Sequence, residues 1–181
     1  MSPLLDLLDG YRPHGETETA DLARVRDLAA TSADPWSRAS PLHVTASALV
    51  VHPATGRILL RWHQRQQAWL QVGGHGDPGE TDPLPVALRE AAEETGLTDL
   101  APWPDGRLWH VAVVPVPASA TEPAHQHADL RFVFATQAPD QARPEKPDAP
   151  LRWLALDEAE RELGEDNVRE TVRRLRALPL A

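Results

Sequence analysis

The nonapeptide Arg89-Glu90-Ala91-Ala92-Glu93-Glu94-Thr95-Gly96-Leu97 constrains this chain more than any other stretch. An α-helix turns about 100° per residue, so with Arg89 at zero Glu90, Glu93 and Glu94 fall near ~100°, ~40° and ~140°. Leu88, Ala91, Ala92 and Thr95 fall on the opposite side, a small apolar face suited to packing on a core. Three carboxylates on one face repel one another unless a cation sits among them. Hard oxygen ligands at this density suit Mg²⁺ or Mn²⁺, ions that usually take substrate phosphates as further ligands. The plain alternative is a solvated acidic helix face.

The residues just before this helix weigh against that alternative. Gly73-Gly74-His75-Gly76-Asp77-Pro78-Gly79-Glu80 is a glycine-rich loop leading into it. Loop and helix together resemble the Nudix hydrolase signature of the MutT-like family. That signature reads Gly, five residues, Glu, seven residues, then Arg-Glu-apolar-x-Glu-Glu-x-Gly-apolar. Gly74, Glu80, Arg89, Glu90, Ala91, Glu93, Glu94, Gly96 and Leu97 match it, but eight residues separate Glu80 from Arg89.

The resemblance implies a Nudix α/β/α sandwich with a mixed β-sheet. It implies a pyrophosphohydrolase with Mg²⁺ (or Mn²⁺) on Glu90, Glu93 and Glu94, and with the Gly74 carbonyl as a further ligand. Arg89, Glu93 and Glu94 are the catalytic candidates. Arg89 and Glu93 lie close in angle, so Arg89 can fix Glu93 while that carboxylate binds metal or takes a proton.

Composition narrows the function classes. A net charge of −9 argues against a general nucleic-acid binder, which presents a basic surface. An acidic enzyme acting on phosphate esters is coherent once metal reverses the local charge. The chain has no cysteine, so it has neither disulfides nor thiol chemistry, which fits a cytoplasmic protein. The family's isopentenyl-diphosphate isomerase branch uses a cysteine and is disfavoured. Met-Ser-Pro-Leu-Leu-Asp lacks the pattern of an export signal, and no run is long and apolar enough to span a membrane.

Leu4, Leu5, Leu7 and Leu8 predict a short helix stopped near Gly10, and Asp21 can cap a second containing Leu22, Val25 and Leu28. Residues 43–51 read as a buried strand, followed by a turn at 53–56 and a hairpin strand at 57–62. Ala68 to Val72 is a short strand feeding the glycine loop, and the box helix ends at Gly96. Leu108 to Val116 and Leu130 to Ala135 are β-prone and flank a Pro-rich loop, 117–128. Residues 138–150 form an exposed connection, Leu151 to Leu156 a strand, and Val168, Val172 and Leu175 a final amphipathic helix. We expect residues 1–40 to be a helical extension packed on a Nudix domain of residues 41–181.

In many relatives the general base comes from a loop outside the box, here the 117–128 loop with Glu122, His125 and His127, followed by Asp129. His125, His127 and Asp129 alternate, so extended chain puts them on one face as a base or a phosphate contact. A polar loop entering an edge strand is the competing reading. Arg61, His63 and Arg65 also alternate and are phosphate or base candidates, against a solvated hairpin face. His75 adjoins Gly74 and is a substrate-contact candidate, whereas His43 is read as a strand residue satisfying backbone groups. Trp62 and Trp69 are the favoured stacking platform among six tryptophans.

Asp82 and Pro83 look like an N-cap and first helical residue, which puts the extra residue near Thr81 and displaces Glu80 along the loop. Glu80 is therefore assigned a structural or secondary metal role. The expected partner is a small-molecule nucleoside diphosphate derivative, with no nucleic acid and no membrane, and a homodimer is compatible with the family. A nucleotide-sensing domain without catalysis and a purely structural module are the rival classes. Rivals of the first kind often lose box carboxylates, and the second leaves three facing glutamates unexplained.

Overall fold

The computed structural model describes residues 2–180. One mixed sheet forms around β1 (Leu42–His52) and β7 (His125–Ala135), which pair in parallel from Leu42↔Gln126 to Val51↔Ala135. The other edge of β1 pairs antiparallel with two strands in succession. Its C-terminal end meets β2 (Arg57–His63), and its N-terminal half meets β4 (Val72–His75) at Thr45↔His75 through Ala48↔Val72. β2 also carries β3 (Ala68–Leu70) and β8 (Leu151–Ala155), while β7 carries β5 (Ala101–Pro102) and β6 (His110–Val116).

Period-two alternation splits the burial of β1 between two cores. Val44, Ala46, Ala48 and Val50 face α3 (Pro83–Thr95) through Val86, Ala87 and Ala91. The same core takes Leu4 and Leu8 of α1 (Pro3–Gly10) and Leu22 and Val25 of α2 (Gly15–Thr31). On the other face, Leu49 and Val51 pack with Ala159 of α4 (Leu156–Glu162) and Val168 and Val172 of α5 (Asp166–Arg174). The result is the expected α/β/α sandwich with a mixed sheet and an N-terminal helical extension. Among the described residues no helix is long and apolar enough to cross a membrane.

Several boundaries differ from expectation for physical reasons. Asp21 does not cap α2, which begins at Gly15 after His14; its carboxylate instead accepts the Val113 backbone N–H at 3.0 Å. Glu18 does the same for the Val111 N–H, so α2 satisfies the free side of β6 with two acids. The expected strand at 68–72 is two short strands, β3 on β2 and β4 on β1, with Gly73, Gly74 and His75 inside β4. The Pro-rich loop ends earlier than expected, because His125 and His127 already belong to β7. α4 and β5 were not foreseen. α3 starts as expected: Asp82 accepts the Leu84 N–H, Pro83 is the first helical residue, and the helix stops at Gly96.

Candidate functional site

The box helix and the glycine strand meet edge to edge. A Cβ on Gly74 would lie 2.6–2.8 Å from the Glu90 carboxylate, so a side chain there would push Glu90 aside. Gly73 adopts φ +147°, and a Cβ there would strike Ser47 of β1 at 2.5 Å. Its N–H donates to Glu94 Oε2 at 3.0 Å. Glu90 and Glu94 are thus both held against the Gly73–Gly74 backbone. Glu93 is not: its side chain is 56% exposed and leans on Arg89 at 3.3 Å. Two of the three expected carboxylates converge, and the third faces solvent.

Arg89 organises this end of the helix. Its Nε and Nη2 donate to the two oxygens of Glu80 at 3.1 and 2.8 Å, a forked pair. Nη2 also donates to the His75 carbonyl at 3.0 Å, and Nη1 to Glu90 at 3.0 Å. Glu80 in turn accepts the Asp77 N–H at 2.7 Å, closing the loop on itself. The extra residue therefore leaves Glu80 within reach of Arg89, and Glu80 is the arginine's main partner.

Burial raises both carboxylates even though Arg89 and Arg61 sit beside them. Burial and repulsion from Glu93 and Asp77 push Glu90 up. Burial, with repulsion from Glu90 and Glu145, pushes Glu94 up to about 6, against the Gly73 N–H and the nearby Arg61 guanidinium. Arg61 comes from β2 and sits 3.3 Å from Glu94, both side chains largely buried. Its Nε is buried without a hydrogen-bond partner. Two desolvated carboxylates packed on the glycine strand form a hard oxygen donor set, and they fit Mg²⁺ or Mn²⁺.

Gly73 and Gly74 also line a cleft of about 250 Å³, together with His63, Gln71, His75, His127 and Asp129. The other base candidates are distributed unevenly around it. Asp129 is buried and already bonded to Thr45 at 3.0 Å, Ser47 at 2.7 Å and Arg131 at 2.7 Å. Burial raises its carboxyl, but the Arg131 guanidinium outweighs that and holds it down. Arg65 and Glu122 pair with each other at 2.9 Å on the surface. The expected alternation of Arg61, His63 and Arg65 therefore divides: Arg61 reaches the box, His63 the cleft and Arg65 the outer loop.

His75, His125 and His127 are brought together, along with His43, which lies at the start of β1 and bonds the Ser40 backbone carbonyl as expected. His43 Nε2 lies 3.0 Å from His75 Nε2, and His125 Nε2 lies 3.2 Å from His127 Nε2. Burial holds His75 down at about 3 and His127 at about 4, so both rings are neutral. The signal that could have found His43 is the parallel register placing it opposite His127, which no single-strand pattern reveals. Trp62 and Trp69 pack edge to face at 5.5 Å on paired strands, and neither lines the cleft.

The profile described as the NUDIX domain matches residues 41–175. No curated protein matches the sequence. Among solved structures, a C. elegans Ap4A hydrolase binary complex is similar, with TM-score 0.60 and 19% identity over 74% of this chain and 95% of that one. A NUDIX-family hydrolase from Clostridium perfringens gives 0.55 and 23% identity over 74% and 97%. The E. coli dihydroneopterin triphosphate pyrophosphohydrolase gives 0.54 and 17% identity over 75% and 94%.

Proposed function

This chain belongs to the Nudix family of hydrolases, and we propose that it is a Mg²⁺- or Mn²⁺-dependent pyrophosphohydrolase cleaving a diphosphate bond in a nucleoside diphosphate linked to another group. A nucleoside triphosphate, a nucleotide sugar, a dinucleotide or an oxidised nucleotide carries that linkage. The observation supporting the reading is the pair Glu90 and Glu94, packed on the Gly73–Gly74 backbone with Arg61 alongside. Named activities of proteins with similar folds, on Ap4A and on dihydroneopterin triphosphate, set the range of compounds to screen.

Glu90, Glu94 and the Gly74 carbonyl would hold the divalent ion, which supplies charge neutralisation on the phosphates and a more acidic water. Arg61, 3.3 Å from Glu94, adds positive charge beside the phosphates. Water attacks phosphorus in line, the bridging P–O bond breaks, and the water proton passes to a base. Glu93 is the box carboxylate open to solvent, and Arg89 orients it from 3.3 Å, so we assign it that role. The group beyond the diphosphate occupies the cleft lined by His63, Gln71 and His75.

We further propose residues 41–181 as the catalytic domain and residues 1–40 as its extension. The substrate is a small molecule, with neither nucleic acid nor membrane as partner. The proposed setting is cytoplasmic, and a homodimer is compatible with the family. Screening nucleotides, nucleotide sugars and dinucleotides with Mg²⁺ or Mn²⁺ for phosphate and pyrophosphate release tests the activity. Turnover abolished in Glu94→Gln supports the assignment. Nucleotide binding with no product from any compound would instead make the chain a sensor.

A further inference from the structure

Four imidazoles from three strands meet at one end of the sheet, beyond the carboxylates of the box helix. His125 and His127 stand two residues apart on β7, so the pleat puts both on one face. The parallel register sets His43 of β1 directly opposite His127, and β4 brings His75 against Thr45 of the same strand. Ring centroids of neighbouring pairs lie 4.8–5.3 Å apart. One ligand atom each from His43, His125 and His127 falls within 4.8 Å of the others.

Two of the rings are fixed so that a lone pair points inward. His43 Nδ1 bonds the Ser40 carbonyl and His125 Nδ1 the Pro123 carbonyl, both at 2.9 Å. A carbonyl only accepts, so each Nδ1 carries the proton and each Nε2 presents a lone pair. Backbone carbonyls behind metal-binding histidines are the usual device for setting tautomer and ring angle. The two inward lone pairs face His75 Nε2 at 3.0 Å and His127 Nε2 at 3.2 Å. Two nitrogens bound to one tetrahedral ion at ~2.0–2.1 Å stand about 3.3 Å apart, close to both distances. With no ion, an Nε2–H from His75 and from His127 fills each gap.

We propose that His43, His125 and His127, with His75 packed against His43, form a binding site for a divalent transition-metal ion such as Zn²⁺. The set contains no carboxylate, and neutral imidazole suits zinc, nickel, copper or iron, whereas Mg²⁺ wants oxygen. This separates the site from Glu90 and Glu94 by ligand chemistry as well as position. An ion here ties β1 to β7 beside His75, the residue next to Gly74.

The test uses the full chain without a polyhistidine tag, stripped with a chelator and titrated with Zn²⁺ against a chromophoric competitor. One equivalent of Zn²⁺ is expected in the wild type, and it persists in Glu90→Gln/Glu94→Gln. His125→Gln and His127→Gln, at the partly exposed start of β7, are expected to weaken it by at least about tenfold while circular dichroism stays native. Replacing Zn²⁺ with Co²⁺ should give the visible bands of a nitrogen-ligated, four-coordinate ion in the wild type and lose them in both histidine variants. Binding lost in the glutamate variant but intact in both histidine variants overturns the proposal. So does the absence of any Zn²⁺ equivalent in the wild type.

Discussion

Glu94 is pulled two ways: burial and its acidic neighbours favour the proton, while the Gly73 N–H and Arg61 favour the charge, and the proton gains. A folded-state value raised to about 6 contributes stability below the ordinary 4.5 that is lost as pH rises through 6. Metal-free Glu94→Gln should accordingly be more stable than wild type at pH 7.5, by roughly 2 kcal/mol at most. Denaturant melts with EDTA measure this, and a destabilised Gln variant contradicts it. Protons also compete with metal at the same oxygens, so Mg²⁺ affinity should rise steeply between pH 5 and about 7 in the wild type and less steeply in Glu94→Gln, where only Glu90 still titrates above its ordinary range. Calorimetric titration at three pH values distinguishes the two. Glu80 acts on the site only through Arg89, so Glu80→Gln should lower turnover by about 10- to 100-fold without unfolding the chain. Unchanged turnover would reduce the forked pair to a loop brace. These residues were legible in the sequence because helical spacing alone puts Glu90, Glu93 and Glu94 on one side. What spacing could not tell is that Glu93 would turn outward, which depends on Arg89 and on where β4 runs.

At the scale of elements, the floor of the cleft rests on a buried pair between neighbouring residues of one face of β7. Arg131 donates to Asp129, to the Thr171 hydroxyl at 2.8 Å and to Asn167 at 3.0 and 2.6 Å, fastening β7 to α5. The two side chains are 2% and 6% exposed. Removing one partner strands a buried charge, so Arg131→Leu should cost about 3–5 kcal/mol. Asp129→Leu combined with Arg131→Leu should recover much of it, since neither charge then remains. Urea melts of the single and double variants settle this, and an additive double variant would contradict coupling. At the box helix, Asp82→Ala should cost about 1 kcal/mol through loss of the cap on Leu84. That cap, the two prolines after it and the stop at Gly96 were readable because such signals are local. Asp21 misled because an acid beside an apolar run resembles a cap, while its real partner lies 92 positions along the chain. α4 was hidden for a similar reason: it follows β8 directly, with no glycine or proline to mark the change.

For the whole molecule, the decisive buried polar cluster joins the N-terminal extension to the last helix. Glu18, 3% exposed, takes hydrogen bonds from Tyr11, from Arg174 at 3.0 Å and from the Val111 N–H. Burial raises its carboxyl, but those donors outweigh burial and hold it at about 2. His110 nearby is held down at about 3, first by burial and then by Arg131 and Arg174. Both groups bind fewer protons folded than unfolded, so stability rises with pH across their windows. The His110 contribution is complete above about 6.5 and fades toward 3; that of Glu18 is complete above 4.5 and is gone below 2. The melting temperature should therefore fall steadily from pH 7 to pH 3, less steeply in Glu18→Gln, and a flat profile would contradict this. The sandwich itself was readable from alternating strands and the box, but this junction was not, because its partners are brought together by topology. The acids of α2 on β6 have one more consequence. β6 hydrogen-bonds β7 on one side, and its outward N–H groups at Val111 and Val113 would otherwise be open to any extended chain. Glu18 and Asp21 occupy those groups with side-chain oxygens and end the sheet there, so that growth by a further strand, from another copy or an unfolded neighbour, finds no vacant ladder.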